Sequence, residues 1–203
     1  MGKYLNTYIK IIIGLGNNIN NKFIGSRHNL GSDYLIKLSK NFDVKFKKIK
    51  KFDGYVSEIY IAKYKIILFI PNSFINNSGK PIFNIINFYK IYFKNILVIH
   101  DELDFLPGII KFKYGGSSGG HNGLNNIIKI FNNNSFYRLR IGIGRPHNKS
   151  EINNFVLNYP TEIEKNKINF AIKNSINALI LLIKTKNYNK AINYLHSKNN
   201  KVK

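Results

Sequence analysis

The chain has 203 residues, 44% of them hydrophobic, which is enough to bury the core of one domain and short for two. Lysine and arginine number 32 against 10 acidic residues, and the net charge of +22 creates a strong field for a polyanion such as nucleic acid. The absence of cysteine excludes disulfides and thiolate metal sites, no apolar run approaches the ~18–20 residues of a membrane span, and no secretory cleavage site follows Met1, so a cytoplasmic protein with no membrane contact is expected.

Tyr8 to Ile13 is rich in β-branched residues and stops at Gly14-Leu15-Gly16, the pattern of a buried strand feeding a turn. A helix is expected from about Ser26, with Leu30, Tyr34, Leu35 and Leu38 at helical spacing. Asn41 to Lys51, with five lysines and little periodicity, reads as an exposed basic loop. Asn, Ile, Lys and Tyr, all with A/T-rich codons, crowd the whole chain, so a compositional origin of part of the charge is the alternative to a functional one. That origin does not explain where the few arginines fall. Two strands follow, Gly54–Ile61 and Lys65–Ile70, the second broken by Pro71. Ile82, Ile85, Ile86 and Tyr89 form a helical stripe, and Asn95–Ile99 is a short strand whose end delivers His100-Asp101-Glu102 to a loop.

After Gly108 a strand through Lys111-Phe112-Lys113 runs into Gly115-Gly116-Ser117-Ser118-Gly119-Gly120, and a helix from about His121 to Phe131 comes next. Phe136 to Ile143 alternates like a sheet strand. Thr161 and Glu164 have capping-box spacing at the start of the last helices, where Ile172, Ile176, Leu179, Ile180 and Ile183 share a face. Strands alternating with helices point to a single α/β domain over 1–203, a twisted mixed sheet covered by helices on both faces, with a basic helical tail from about Tyr188. In such sheets ligands favour the carboxyl ends of strands. Polar residues collect there: Asn17 after the first strand, Asp101 after a central one, and His121-Asn122 after another.

The glycine run suits an anion or a developing oxyanion, because glycine permits positive φ and close approach to backbone N–H groups at a helix start. A flexible connector is the alternative. Gly115-x-Ser117-x-Gly119 has the form of a nucleophile elbow, but no aspartate follows Asp104, and the only histidine after the downstream glutamates is His196 in the tail. Gly14-x-Gly16 lacks the third glycine of a dinucleotide loop, and Gly79-Lys80 is followed by Pro81 rather than Ser or Thr. His100, Asp101 and His121 could ligate zinc, although no closely spaced ligand pair lies on one element. There remains general-base hydrolysis by a histidine. His28 in Ser26-Arg27-His28-Asn29 is the candidate, with Asp101 as the carboxylate that would fix its tautomer. A solvated helix-start histidine and a strand-end turn aspartate are the plainer alternatives.

Taken together, Ile13-Gly14-Leu15-Gly16-Asn17, Ser26-Arg27-His28-Asn29, Pro71 to Gly79, His100-Asp101-Glu102-Leu103-Asp104, Gly119-Gly120-His121-Asn122-Gly123-Leu124 and Arg138 to Pro146 resemble, in unbroken order, the bacterial peptidyl-tRNA hydrolase family. The resemblance implies a monomeric, metal-independent enzyme without cofactor that cleaves the ester between a peptide and tRNA. It implies that His28 is the base, that Asp101 supports it, and that Asn17 senses the blocked amino group of the peptide. Asn76, Asn122 and His121 then hold the peptide backbone and the water or carbonyl, Phe23 and Phe74 line the cleft, and Lys113 and Arg140 grip a tRNA phosphate. The sequence departs from the family at Asn17-Asn18-Ile19, where Asn-Pro-Gly is usual, at Phe23, where tyrosine is usual, and at Ile75, where methionine is usual. A relative that keeps the fold and basic face but serves RNA binding or splicing is the rival reading.

Overall fold

A computed structural model of the chain describes residues 8–17 and 23–199. The expectations for the chain's first residues, for the loop after Asn17 and for the last residues of the tail lie outside the described residues. The strands are β1 (Ile11–Gly14), β2 (Lys47–Ile49), β3 (Gly54–Ile61), β4 (Tyr64–Pro71), β5 (Ile96–Glu102), β6 (Ile110–Tyr114) and β7 (Tyr137–Gly142). The helices are α1 (Leu30–Asn41), α2 (Gly79–Phe88), α3 (Asn122–Phe131), α4 (Ile152–Leu157), α5 (Glu162–Thr185) and α6 (Tyr188–Asn199). One seven-stranded mixed sheet has the order β2-β3-β4-β1-β5-β7-β6. Its centre is parallel, with β1 between β4 and β5 and β5 beside β7, while β2, β3 and β6 pair antiparallel.

Strand alternation divides the core in two. Leu97, Ile99, Leu139 and Ile141 face Leu30, Tyr34, Leu35 and Leu38 of α1 and the buried stripe of α5 and α6. Ile96, Val98, Ile11 and Ile13 face Ile82, Ile85 and Ile86 of α2 and Leu124 and Ile127 of α3. Each fully buried aliphatic side chain contributes roughly 1.5–3 kcal/mol. α5 starts with the capping box that its sequence carries: Thr161 Oγ1 accepts from Glu164 N at 3.3 Å, and Glu164 accepts from Thr161 N at 2.8 Å. Beyond it, α6 packs Tyr188, Ala191 and Leu195 into the core.

Three expectations need correction. The Asn41–Lys51 segment is not wholly loop, since Lys47–Ile49 pairs with β3 as an edge strand. Its exposed lysines carry no apolar alternation, and charge is what keeps such an edge from pairing further. Pro71 lies inside the sheet as the last residue of β4, opposite Gly54. His100, Asp101 and Glu102 belong to β5 itself, paired with Arg140, Ile141 and Gly142. The sequence pattern does not predict α4, which is only six residues long and has no side chain capping its N-terminus.

Candidate active site

His28 is placed by a short 3-10 turn, Arg27–Asn29, that leads into α1. What lets this turn sit on the sheet is Gly31. A Cβ there would lie 2.2 Å from the carbonyl oxygen of Ile99 and 2.5 Å from that of Leu15, so only glycine allows the helix to approach β1 and β5 so closely. Ser32 N donates to Leu15 O at 3.0 Å and Leu15 N to Ile99 O at 3.0 Å, which ties helix and strands at one level. Asp101 points to the same face from the end of β5.

The carboxylate of Asp101 is 3% exposed and is shared by two imidazoles. His28 Nδ1 lies 3.0 Å from Oδ1 and 2.9 Å from Oδ2, and His121 Nε2 lies 3.0 Å from Oδ1. A carboxylate only accepts, so both ring nitrogens carry their protons. For His121 this agrees with its other contact, in which Nδ1 accepts from Leu124 N at 3.3 Å and caps α3. For His28 it leaves Nε2 with a lone pair, the tautomer a general base requires. Burial pushes the His28 pKa down, but the charge of Asp101 and their hydrogen bond outweigh it and raise it above its ordinary value. Burial pushes the Asp101 carboxyl up, and the charges and hydrogen bonds of His28 and His121 hold it well below the usual carboxylate range.

His100 does not join this cluster. Its Nδ1 donates to the Asp101 carbonyl at 2.6 Å, and burial, then the neighbouring His121, hold its pKa well below the ordinary value. The metal set His100, Asp101 and His121 is therefore not assembled. Among the described residues, the group with ligand chemistry is His28, Asp101 and His121, whose ligand atoms lie within 4.8 Å of one another.

A cavity of about 50 Å³ opens beside the two imidazoles, the volume of one or two waters. His28, Asp101, His121 and Asn122 meet there with Ser118, Gly119 and Gly120, with Ile152 and Val156 of α4, and with His100, whose ring stands edge-on to His121 at 5.0 Å. Gly119 and Gly120 have φ of 60° and 83°, and nothing lies within 4 Å of a Cβ at either. The requirement is for left-handed backbone, not for space.

Asn17 is buried behind this cavity rather than lining it. Its backbone N–H donates to Asn29 Oδ1 at 2.8 Å, and its own Oδ1 accepts from Ile75 N at 3.2 Å. The carbonyl edge of the amide is thus committed to Ile75. The Ile75 contact also draws in the 3-10 turn Ile75–Asn77, on which Asn76 is exposed, with Phe74, 60% exposed, just before it. Phe23 lies half-buried in the turn before Ser26. None of Phe23, Phe74 and Asn76 lines the cavity itself.

Lys113 and Arg140 stand apart from the cavity, on the face of β6 and β7 that also carries Lys111 and Arg138. Arg140 lies 3.4 Å from Glu102 Oε2 and over the Phe105 ring at 4.5 Å. Arg138, 2% exposed, is a residue that sequence patterning does not single out. It donates to Ser117 O at 2.7 Å and to Gly116 O, fixing the glycine run that sequence alone left open as a flexible connector.

The family model described as peptidyl-tRNA hydrolase matches residues 11–203. A peptidyl-tRNA hydrolase of Vesicomyosocius okutanii is 48% identical over 190 residues, covering 94% of this chain and 97% of its own length. One from Pectobacterium atrosepticum is 43% identical over 190 residues, covering 93% and 96%. The crystal structure of peptidyl-tRNA hydrolase from Acinetobacter baumannii superposes with a TM-score of 0.88 at 33% identity, covering 96% of this chain and 97% of the other.

Proposed function

The chain belongs to the peptidyl-tRNA hydrolase family, and on that premise we propose that it hydrolyses the ester between the peptide and the terminal ribose of peptidyl-tRNA by general-base catalysis at His28. The observation that carries this reading is the His28–Asp101 pair, with its proton on Nδ1 and the free Nε2 beside a water-sized cavity. His28 Nε2 takes a proton from a water as its oxygen attacks the ester carbonyl. Asp101 stabilises the imidazolium, and the same proton then goes to the departing ribose oxygen, leaving a free carboxylic acid and tRNA. A ribose alkoxide protonated as it leaves needs no covalent intermediate. A positioned base supplies typically ~10²–10⁴-fold, and a donor to the oxyanion a further ~10²–10³-fold. Asn122, at the first turn of α3 beside the cavity, is the side chain assigned to that donor.

His121 enters as the second donor to Asp101. It keeps the carboxylate ionised and aimed, and its ring also lines the cavity in which the substrate carbonyl would sit. Asn17 offers its NH₂, which suits the carbonyl of an N-acyl group. An unblocked amino terminus is itself a donor, so the same edge discriminates against it. Asn76, Phe23 and Phe74 form the outer rim for the peptide, and Lys113 and Arg140 hold an RNA phosphate. The reading includes a metal-free monomer working in the cytoplasm; no helix among the described residues is long and apolar enough to cross a membrane.

Turnover of N-acetyl-aminoacyl-tRNA by protein dialysed against EDTA tests it, with unblocked aminoacyl-tRNA in parallel. Release of tRNA from the blocked substrate alone is expected. Binding of tRNA with no release would instead favour an RNA-binding relative, and activity restored only by added zinc would assign the three-residue cluster to a metal.

A further inference from the structure

Arg27 is 6% exposed and next to the proposed base, yet the reaction gives it no role. Its guanidinium turns away from the cavity. Nη1 donates to Tyr159 O at 2.8 Å and to Phe155 O and Asn158 O at 3.4 Å, while Nη2 meets Glu164 Oε2 at 2.8 Å. The guanidinium also lies over the Phe155 ring at 4.1 Å, and its backbone N–H donates to Asn158 O at 3.1 Å. These partners lie in α4, in the link that follows it and at the start of α5.

α4 needs such a partner. A helix of six residues with no side-chain cap at its N-terminus is marginal alone, and at its C-terminal end a single backbone N–H, that of Asn158, serves the carbonyls of both Asn154 and Phe155. Arg27 supplies donors and positive charge at that negative end. It is a C-terminal cap delivered from another element. α4 in turn gives Ile152, Asn153 and Val156 to the cavity wall around His28. Glu164 joins both devices, since the oxygen that holds Arg27 also accepts from Thr161 N at 2.8 Å in the capping box of α5.

We propose that Arg27 is a positioning residue: through Glu164 and the carbonyls after α4 it holds that helix as a substrate-contacting wall, so that one turn sets both the base and the surface the peptide packs against. The inference rests on the catalytic cavity being the one at His28. A wall that touches the peptide in ground and transition states alike acts on KM more than on kcat. Asp101, which raises the His28 pKa against burial, is held by β5 and not by α4, so Arg27 leaves that pairing and the acid limb it sets in place.

The test measures kcat, KM and pH profile for N-acetyl-aminoacyl-tRNA with Arg27→Lys, Arg27→Met, Glu164→Gln and Val156→Ala, together with amide exchange. Glutamine retains the acceptor of the capping box, so Glu164→Gln removes the ion pair while α5 stays capped. Arg27→Met is expected to raise KM about tenfold with little change in kcat. Lysine restores only part, because it lacks the planar fork. Glu164→Gln moves KM in the same direction by less, amides of residues 153–158 exchange faster, and the acid limb stays in place. Adding Val156→Ala to Glu164→Gln should cost less than the sum of the two, since both act on one wall. If Arg27→Met does not fold, Glu164→Gln and its pair with Val156→Ala decide alone. Unchanged KM, protected α4 amides, additive losses or a shifted acid limb would each overturn the proposal. His28→Ala, run beside them, reports on the base separately: retained turnover there would sink the base assignment without touching the KM pattern.

Discussion

Asp101→Asn separates the two jobs given to this carboxylate. It removes a charge from His28 and His121 while leaving the shape of the side chain. Burial alone would hold the His28 pKa down, and the charge and hydrogen bond of Asp101 are what raise it, so removing the charge should lower the pKa. The acid limb of kcat/KM, which reports protonation of the free base, should move to lower pH. The tautomer changes as well. Oδ1 receives both His121 at 3.0 Å and His28 at 3.0 Å, so the new amide oxygen belongs there, and its NH₂ then faces His28 Nδ1 across 2.9 Å. Two donors cannot share that contact, and the proton is driven to Nε2, where it blocks the base. Most of the contribution of about 10²–10⁴-fold should therefore be lost on the plateau, with the residual activity extending to more acid pH. Stopped-time assays of N-acetyl-aminoacyl-tRNA hydrolysis across pH 5 to 9 read both effects. An acid limb that stays put or moves upward would refute the pairing, whatever the plateau does.

Two further outcomes follow from the geometry. Neutralising Lys113 or Arg140 should raise KM for full-length peptidyl-tRNA and reduce the salt slope of binding by about 1, while a peptidyl ester on an adenosine fragment is hardly affected; Lys47 and Lys48 on the edge strand should matter less, and equal losses from both pairs would mean a diffuse field. Gly31→Ala forces a Cβ against the Ile99 carbonyl, so it should destabilise the fold by about 1–3 kcal/mol and lower kcat by displacing His28; a melting temperature and rate like those of the parent would remove Gly31 from the account.

The order of elements was legible because its signals are local. Periodicity marks most of the strands and the long helices, and the spacing of Thr161 and Glu164 alone marks the start of α5. Assemblies that cross the chain were not legible in this way. His28 and Asp101 are 73 residues apart, and nothing in either neighbourhood says that they meet. Elimination of other chemistries suggests the pair, and the likeness to a family implies the same two residues. The approach that makes the meeting possible depends on Gly31, which looks like any helix glycine until Ile99 O is placed against it. His121 stood out as a polar residue after glycines, but its double use as cap and as partner of Asp101 needs the end of β5 within reach. α4 escaped because its stability is supplied by Arg27 from a distant turn, not by its own six residues. Arg138 escaped because an arginine in an alternating strand reads as solvent-facing, whereas here the glycine-loop carbonyls receive it.

The central claim is that His28 Nε2 activates the water. Single-turnover hydrolysis of N-acetyl-aminoacyl-tRNA by His28→Ala at pH 7.5, with tRNA affinity measured on the same preparation, tests it most directly. The account predicts a loss of about 10²–10⁴-fold in the chemical step with affinity and melting temperature near those of the parent; turnover within a few-fold of the parent would contradict it.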